Sequence, residues 1–155
     1  MSDWSAIIDA VTADLITNVT WTTTPTLHKY NTQDPEELAA SPGEAHLAMW
    51  PAQEQPETAV QLVTAPGGDQ LTKAFVLLYW EHIGQEGGQQ LSDEDAAKAM
   101  LDLHNAVRAR FYQIANLQLG GTTSTRYTST SFAPGPSDVR WFAMTIVCTS
   151  DIVSS

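Results

Sequence analysis

Apolar positions fall into distinct patterns along the chain, and each pattern predicts a different element. Ile7, Ile8, Val11 and Leu15 recur at helical spacing, so residues 3–18 read as an amphipathic helix capped by Ser2 or Asp3, with Asp9 and Asp14 on its other side. The Thr-rich run that begins at Thr20 and Pro25 stop it, because β-branched residues and proline disfavour helix. Ala74-Phe75-Val76-Leu77-Leu78-Tyr79-Trp80 is unbroken apolar sequence, which over residues 73–83 predicts a central strand covered on both faces. Helical spacing then returns at Ala96, Met100, Leu103, Val107, Phe111 and Ile114. Ser92 caps this second helix, and Asp95 stands where a capping box places an acid. Acids crowd its first turn while Arg108 and Arg110 come near its end, as the helix dipole favours, so residues 93–115 form a long helix.

The segments between are less strongly patterned. Residues 26–30 suggest a short strand, and Asp34-Pro35 starts a helix of one or two turns over residues 35–40. That helix lies in an insertion rich in Pro, Glu and Ala, which with Pro51 and Pro56 extends over residues 31–57. Residues 45–50 and 58–64 read as strands, 66–69 as a turn, and 84–90 as a glycine-rich loop. Near the end, residues 122–131 are rich in Ser and Thr, whereas 139–149 are apolar on both faces. With the turn at 133–138 they predict a hairpin of one wet and one buried arm, the polar arm spanning residues 120–138. Phe75, Leu77, Leu103, Val107, Phe142 and Ile146 are the expected core, and the core is expected not to depend on the polar arm. No linker or repeat divides the sequence. The prediction is one α+β domain over residues 1–155: a mixed, mainly antiparallel sheet packed by an N-terminal helix and one long helix, with a C-terminal β-hairpin.

Charge changes the picture. The net charge of the 155 residues is -11, and it is uneven: residues 1–102 hold sixteen acids and three bases, residues 103–155 two acids and four arginines. Such a chain is poorly suited to grip nucleic acid, which needs clustered Lys and Arg to displace counterions. An acidic surface aids solubility, or lets the protein pass near DNA without sticking. The sequence opens without a basic, then apolar leader, and no apolar stretch approaches the roughly 18 residues of a membrane span, so a cytoplasmic protein is expected. Asn18-Val19-Thr20 matches a glycosylation acceptor by chance on that reading. Cys148 stands alone in an apolar run and is expected to be a buried, inert thiol.

Candidate chemistry is sparse. His28, His46, His82 and His104 share no metal-ligand spacing, and neither CxxC nor HExxH occurs. Glu81-His82 is the best acid/base pair, although a polar pair ending a strand is far more often structural. Residues 66–73 are faintly similar to a phosphate loop but lack its spacing, and Lys73 begins a strand instead of a helix. No serine sits in a G-x-S-x-G elbow. Arg108 and Arg110 diverge on a helix, so with Arg126 and Arg140 they suit scattered salt bridges better than one anion site. Catalytic, cofactor and metal residues are therefore expected to be none. Of five tryptophans, Trp80 and Trp141 fit the core, while Trp4, Trp21 and Trp50 sit at element edges as core lids or interface anchors.

The order of elements, closing on Arg140-Trp141-Phe142-Ala143-Met144-Thr145-Ile146-Val147-Cys148, resembles the tail terminator proteins of long-tailed bacteriophages, the group that includes the minor tail protein U of phage lambda. The resemblance lies in layout and size, without a diagnostic motif. It implies a homo-oligomeric ring of six subunits at the head-proximal end of the tail tube. Such a ring ends tube polymerisation and docks a neck or head-completion protein, with the tail tube protein as its other partner. DNA passes through the lumen without specific binding, and no membrane is involved. The protein would occupy the host cytoplasm during assembly and then the virion. Contacts between subunits, or with the tube, are expected at Arg126, Tyr127, Phe132 and Trp50. A head-closure or other neck protein, a small acidic cytoplasmic binding module or inhibitor, and an enzyme are the alternatives.

Overall fold

In the computed structural model, residues 4–56, 70–82, 85–86, 89–90, 93–114, 124–134 and 139–151 are described. The apolar run lies in β3 (Gln70–His82), the middle strand of a five-stranded sheet. The other strands are β1 (Thr26–Lys29), β2 (Ala45–Pro56), β6 (Ser124–Pro134) and β7 (Val139–Asp151), in the order β1-β2-β3-β7-β6. β1 pairs with β2 in parallel, and every other pairing in this sheet is antiparallel. Two helices, α1 (Trp4–Asn18) and α2 (Asp93–Ile114), complete an α+β fold. Within the glycine-rich loop, β4 (Gln85–Glu86) and β5 (Gln89–Gln90) form a short ladder of their own.

Residues directly opposite in an antiparallel pair share a face. Phe75, Leu77 and Tyr79 oppose Ile146, Met144 and Phe142, and all six are buried on the side that receives both helices. Ile7, Ile8, Val11 and Leu15 of α1 pack there with Met100, Val107 and Phe111 of α2. A 15-residue helix is marginal alone in water, so this burial, at about 1.5–3 kcal/mol per large side chain, is what holds α1. Arg110 clips the helices together: its Nε and its terminal nitrogen donate to the two oxygens of Asp14, each at 2.7 Å.

The second face of β3 is covered differently. A parallel pair obliges the chain to return to its starting end before the next strand begins. Residues 31–44 make that return, and they place Leu38 against Ala48, Trp50, Leu78, Trp80 and Val139. The Trp80 indole donates to the Ala39 carbonyl at 3.0 Å and fixes the crossover on the sheet. Here the expected helix over 35–40 shrinks to one 3-10 turn, Pro35–Glu37, capped by the Asp34 carboxylate. Leu38 takes an extended conformation (φ -67°, ψ 140°) to reach the core, and that ends the turn.

Other expectations need correction. β2 continues past Pro51 to Pro56, because a bulge between Pro51 and Gln53 accommodates a residue that cannot donate to the ladder. Leu103 is only partly buried, whereas His104 is 6% exposed and joins the stripe of Met100, Val107 and Phe111. The polar arm is not separable from the core. Its residues form β6, the fifth strand, where Thr125 is fully buried and Tyr127 packs on the main cluster. A bulge between Tyr127 and Ser129 bends this strand. The strand expected at 58–64, the turn at 66–69 and the capping residues Ser2, Asp3 and Ser92 lie outside the described residues.

Phe111→Ala should lower the unfolding free energy by about 3–5 kcal/mol, and Leu103→Ala by clearly less than Val107→Ala despite losing the larger side chain. Urea denaturation of the three variants, with unchanged slopes, checks the order.

Candidate subunit interface

Both outer strands of the sheet, β1 and β6, pair on one side only among the described residues. Four large hydrophobic side chains are exposed among those residues, two at these edges and two on α2. Phe132 (45% exposed) belongs to β6 itself, and Tyr30 (45%) directly follows β1. Leu101 (50%) and Tyr112 (70%) belong to α2. His104 marks the side of α2 that meets β6: its Nε2 lies 2.9 Å from the Thr130 hydroxyl, and its ring meets Phe132 at 4.8 Å. At 100° per residue, Leu101 and Tyr112 fall roughly 60° and 80° from His104 on its solvent side, away from Met100 and Val107. Tyr112 meets Tyr127 of β6 edge to face at 6.0 Å. Phe132 and Tyr112 thus lie at β6, Leu101 shares the solvent side of α2 with Tyr112, and Tyr30 stands beside β1.

Of the residues singled out in the sequence, Arg126, Tyr127 and Phe132 come together on β6. Tyr127 and Phe132 oppose Ile146 and Phe142 on the helical face, while exposed Arg126 opposes Val147 on the other face. Trp50 does not join them. It lies on β2, 8% exposed, and fills the second core cluster, which leaves little of its ring for a partner. Trp4 and Trp21 are lids as well: Trp4 meets Phe75 at 5.0 Å, and Trp21 donates to the Leu15 carbonyl at 3.1 Å while stacking on Tyr79. Tyr30, Leu101 and Tyr112 went unpredicted. For the two helical residues a signal existed, since both are large apolar positions off the buried stripe. For Tyr30 there was none.

Candidate chemical groups are dispersed by the same pleat. Glu81 and His82 are successive in β3 and therefore face opposite sides of the sheet. Glu81 accepts a hydrogen bond from the Tyr79 hydroxyl at 2.8 Å, and burial above all, with the carboxylate beside it, raises the phenol far above its usual range. Arg110 turns to Asp14 while Arg108 donates to Asn105 at 2.9 Å, so these two arginines do diverge. Lys73, 3% exposed within β3, places its ammonium 5.5 Å from the Trp4 ring centre. Cys148 is 1% exposed, and burial pushes its thiol up to about 11 although Thr125 and Lys73 act the other way.

One grouping was invisible in the sequence. Parallel pairing of β1 with β2 brings His28 Nε2 within 3.0 Å of His46 Nδ1, and both rings stack on Trp80. Glu44 approaches the other nitrogen of His46 at 3.7 Å. Burial, and then the neighbouring His46, hold His28 below the usual histidine range. Among the described residues, no three of His, Cys, Asp and Glu gather into a metal-ligand set, and no helix is long and apolar enough to cross a membrane. The chain matches no protein-family model and no curated protein.

Two measurements probe these environments. His28 and His104 both have lowered proton affinity in the folded chain, so the unfolded chain takes up protons first as pH falls below about 6.5. Stability should therefore drop between pH 7 and pH 5, and His28→Phe should flatten that dependence in urea titrations. For Cys148 the shift is upward in an acid, so its contribution is present below about pH 9 and is lost as pH rises toward 11. The folded protein should resist dithionitrobenzoate at pH 8 and release one equivalent of thionitrobenzoate in urea.

Proposed function

We propose that this chain is the ring-forming subunit of a phage tail terminator. In this reading it sits at the head-proximal end of the tail tube, ends tube polymerisation and docks the neck. The observation that carries the reading is that exposed large hydrophobics stand at both edges of one sheet, Tyr30 beside β1 and Phe132 on β6, with Leu101 and Tyr112 on the helix that packs on β6. A closed ring of identical copies needs two different, mutually complementary patches on each copy, and a sheet with two unlike edges supplies them. The order of elements supports the same reading. So does the net charge of -11, because an acidic wall repels phosphate and lets DNA pass through a lumen without adhering. Six copies form the ring, its two flat faces meeting the tube protein on one side and the neck or head-completion protein on the other. Assembly takes place in the host cytoplasm and the finished ring belongs to the virion. The protein holds no cofactor and catalyses no reaction in this role.

The test adds the purified protein to growing tail tubes and images them in negative stain. Rings with a central opening that cap tubes of fixed length are expected. Tubes that keep growing beside monomers would overturn the reading in favour of a small acidic binding module, and rings that bind heads without stopping tubes would favour a head-closure protein.

A further inference from the structure

Resting on the ring reading, we infer that neighbouring copies join head to tail, the β6 edge of one against the β1 edge of the next, with Arg126 facing the acidic crossover of its neighbour. The edges differ in charge as well as in shape. The crossover that leaves β1 presents Asp34, Glu36 and Glu37, all exposed. The β6 edge presents Arg126, also exposed. Both charges stand on the same side of the sheet. Arg126 opposes Val147, whose neighbours Ile146 and Cys148 point to the helices, so Arg126 projects from the face away from them. The crossover covers that same face through Leu38 and Ala39. If the sheet continues from one copy into the next, Arg126 and the neighbouring acids therefore meet without either copy turning over.

The apolar side chains match in the same way on the helical face. Phe132 opposes Phe142 there, and farther along the same strand Tyr112 of α2 meets Tyr127. On the neighbouring edge Tyr30 is held toward α1, its hydroxyl bonded to Asp9, which also receives Lys29 at 3.0 Å. Its backbone is left-handed (φ 79°), a conformation that costs a non-glycine residue roughly 1 kcal/mol and presents the ring at the strand end. Both edges thus offer an exposed aromatic on one face and opposite charges on the other. A polar strand left open on one side invites pairing with another chain, and a second copy of this chain provides the complement.

Charge exchange separates this pairing from other modes of assembly. Arg126→Glu reverses one edge, and Glu36→Lys with Glu37→Lys reverses the other. All three positions are exposed, and circular dichroism checks that the variants fold. Each variant alone should shift self-association toward monomer by at least about tenfold in sedimentation velocity, because it sets like charges against each other. Mixed in equal amounts, the two should reassemble into a closed oligomer of alternating variants, since each reversed edge now matches the other variant. If the unaltered chain forms rings and both variants form them equally well, the edge pairing is wrong while the ring reading stands. If the variants fall apart and the mixture does not recover, the two edges are not partners. An unaltered chain that remains monomeric, alone and with tail tubes, removes both.

Discussion

Because β3 carries large apolar side chains on both sides of its pleat, with Phe75, Leu77 and Tyr79 on one and Leu78 and Trp80 on the other, two faces of a single sheet must be kept from water. The chain has only two α-helices among its described elements, and both pack on the first face. The second face is left to an irregular segment. Residues 31–44 can cover it because a parallel β1–β2 pair requires a return crossover, and the return passes over Ala48, Leu78 and Trp80. What looks in sequence like an insertion is therefore half of the burial of the central strand. The histidine pair follows from the same pairing, since His28, opposite Ala48, is a diagonal neighbour of His46 on the parallel strand, and both rings stack on Trp80.

The cost of this arrangement falls on the edges. α2 lies over β6 and shields Thr125, Tyr127 and Phe142, but it leaves Phe132, Leu101 and Tyr112 in contact with water. At the other end β1 is four residues long and leaves Tyr30 exposed. Isolated surface hydrophobics need no explanation, but a group of them on β6 and the helix over it does. The charge asymmetry of the sequence is spatial as well, with exposed acids on the crossover that follows β1 and exposed Arg126 on β6.

The elements with strong periodicity were legible from sequence. The two helices, the central strand and the terminal strand follow directly from where apolar residues recur, and the α+β class follows from their order. Register and burial depth were not. His104 displaced Leu103 from the buried stripe because the helix is rotated toward β6, which depends on a contact with Thr130 far away in sequence. The polar strand β6 concealed its core role because one of its buried residues is a threonine, Thr125. Trp50 looked like an edge residue because the crossover that buries it has no apolar pattern beyond Leu38. Of the exposed residues at the strand edges, those on β6 were visible through composition. Tyr30, Leu101 and Tyr112 acquire meaning only once the two strand edges are known.

Head-to-tail closure is most directly tested by disulfide trapping between the two edges. Arg126→Cys and Glu37→Cys placed in one chain have no competing accessible thiol, since Cys148 is 1% exposed. On mild oxidation, a non-reducing gel should show a ladder of linked chains that ends in one closed species, while each single variant stays uncrosslinked. A doubly substituted chain that gives no products beyond those of the single variants would contradict the head-to-tail ring.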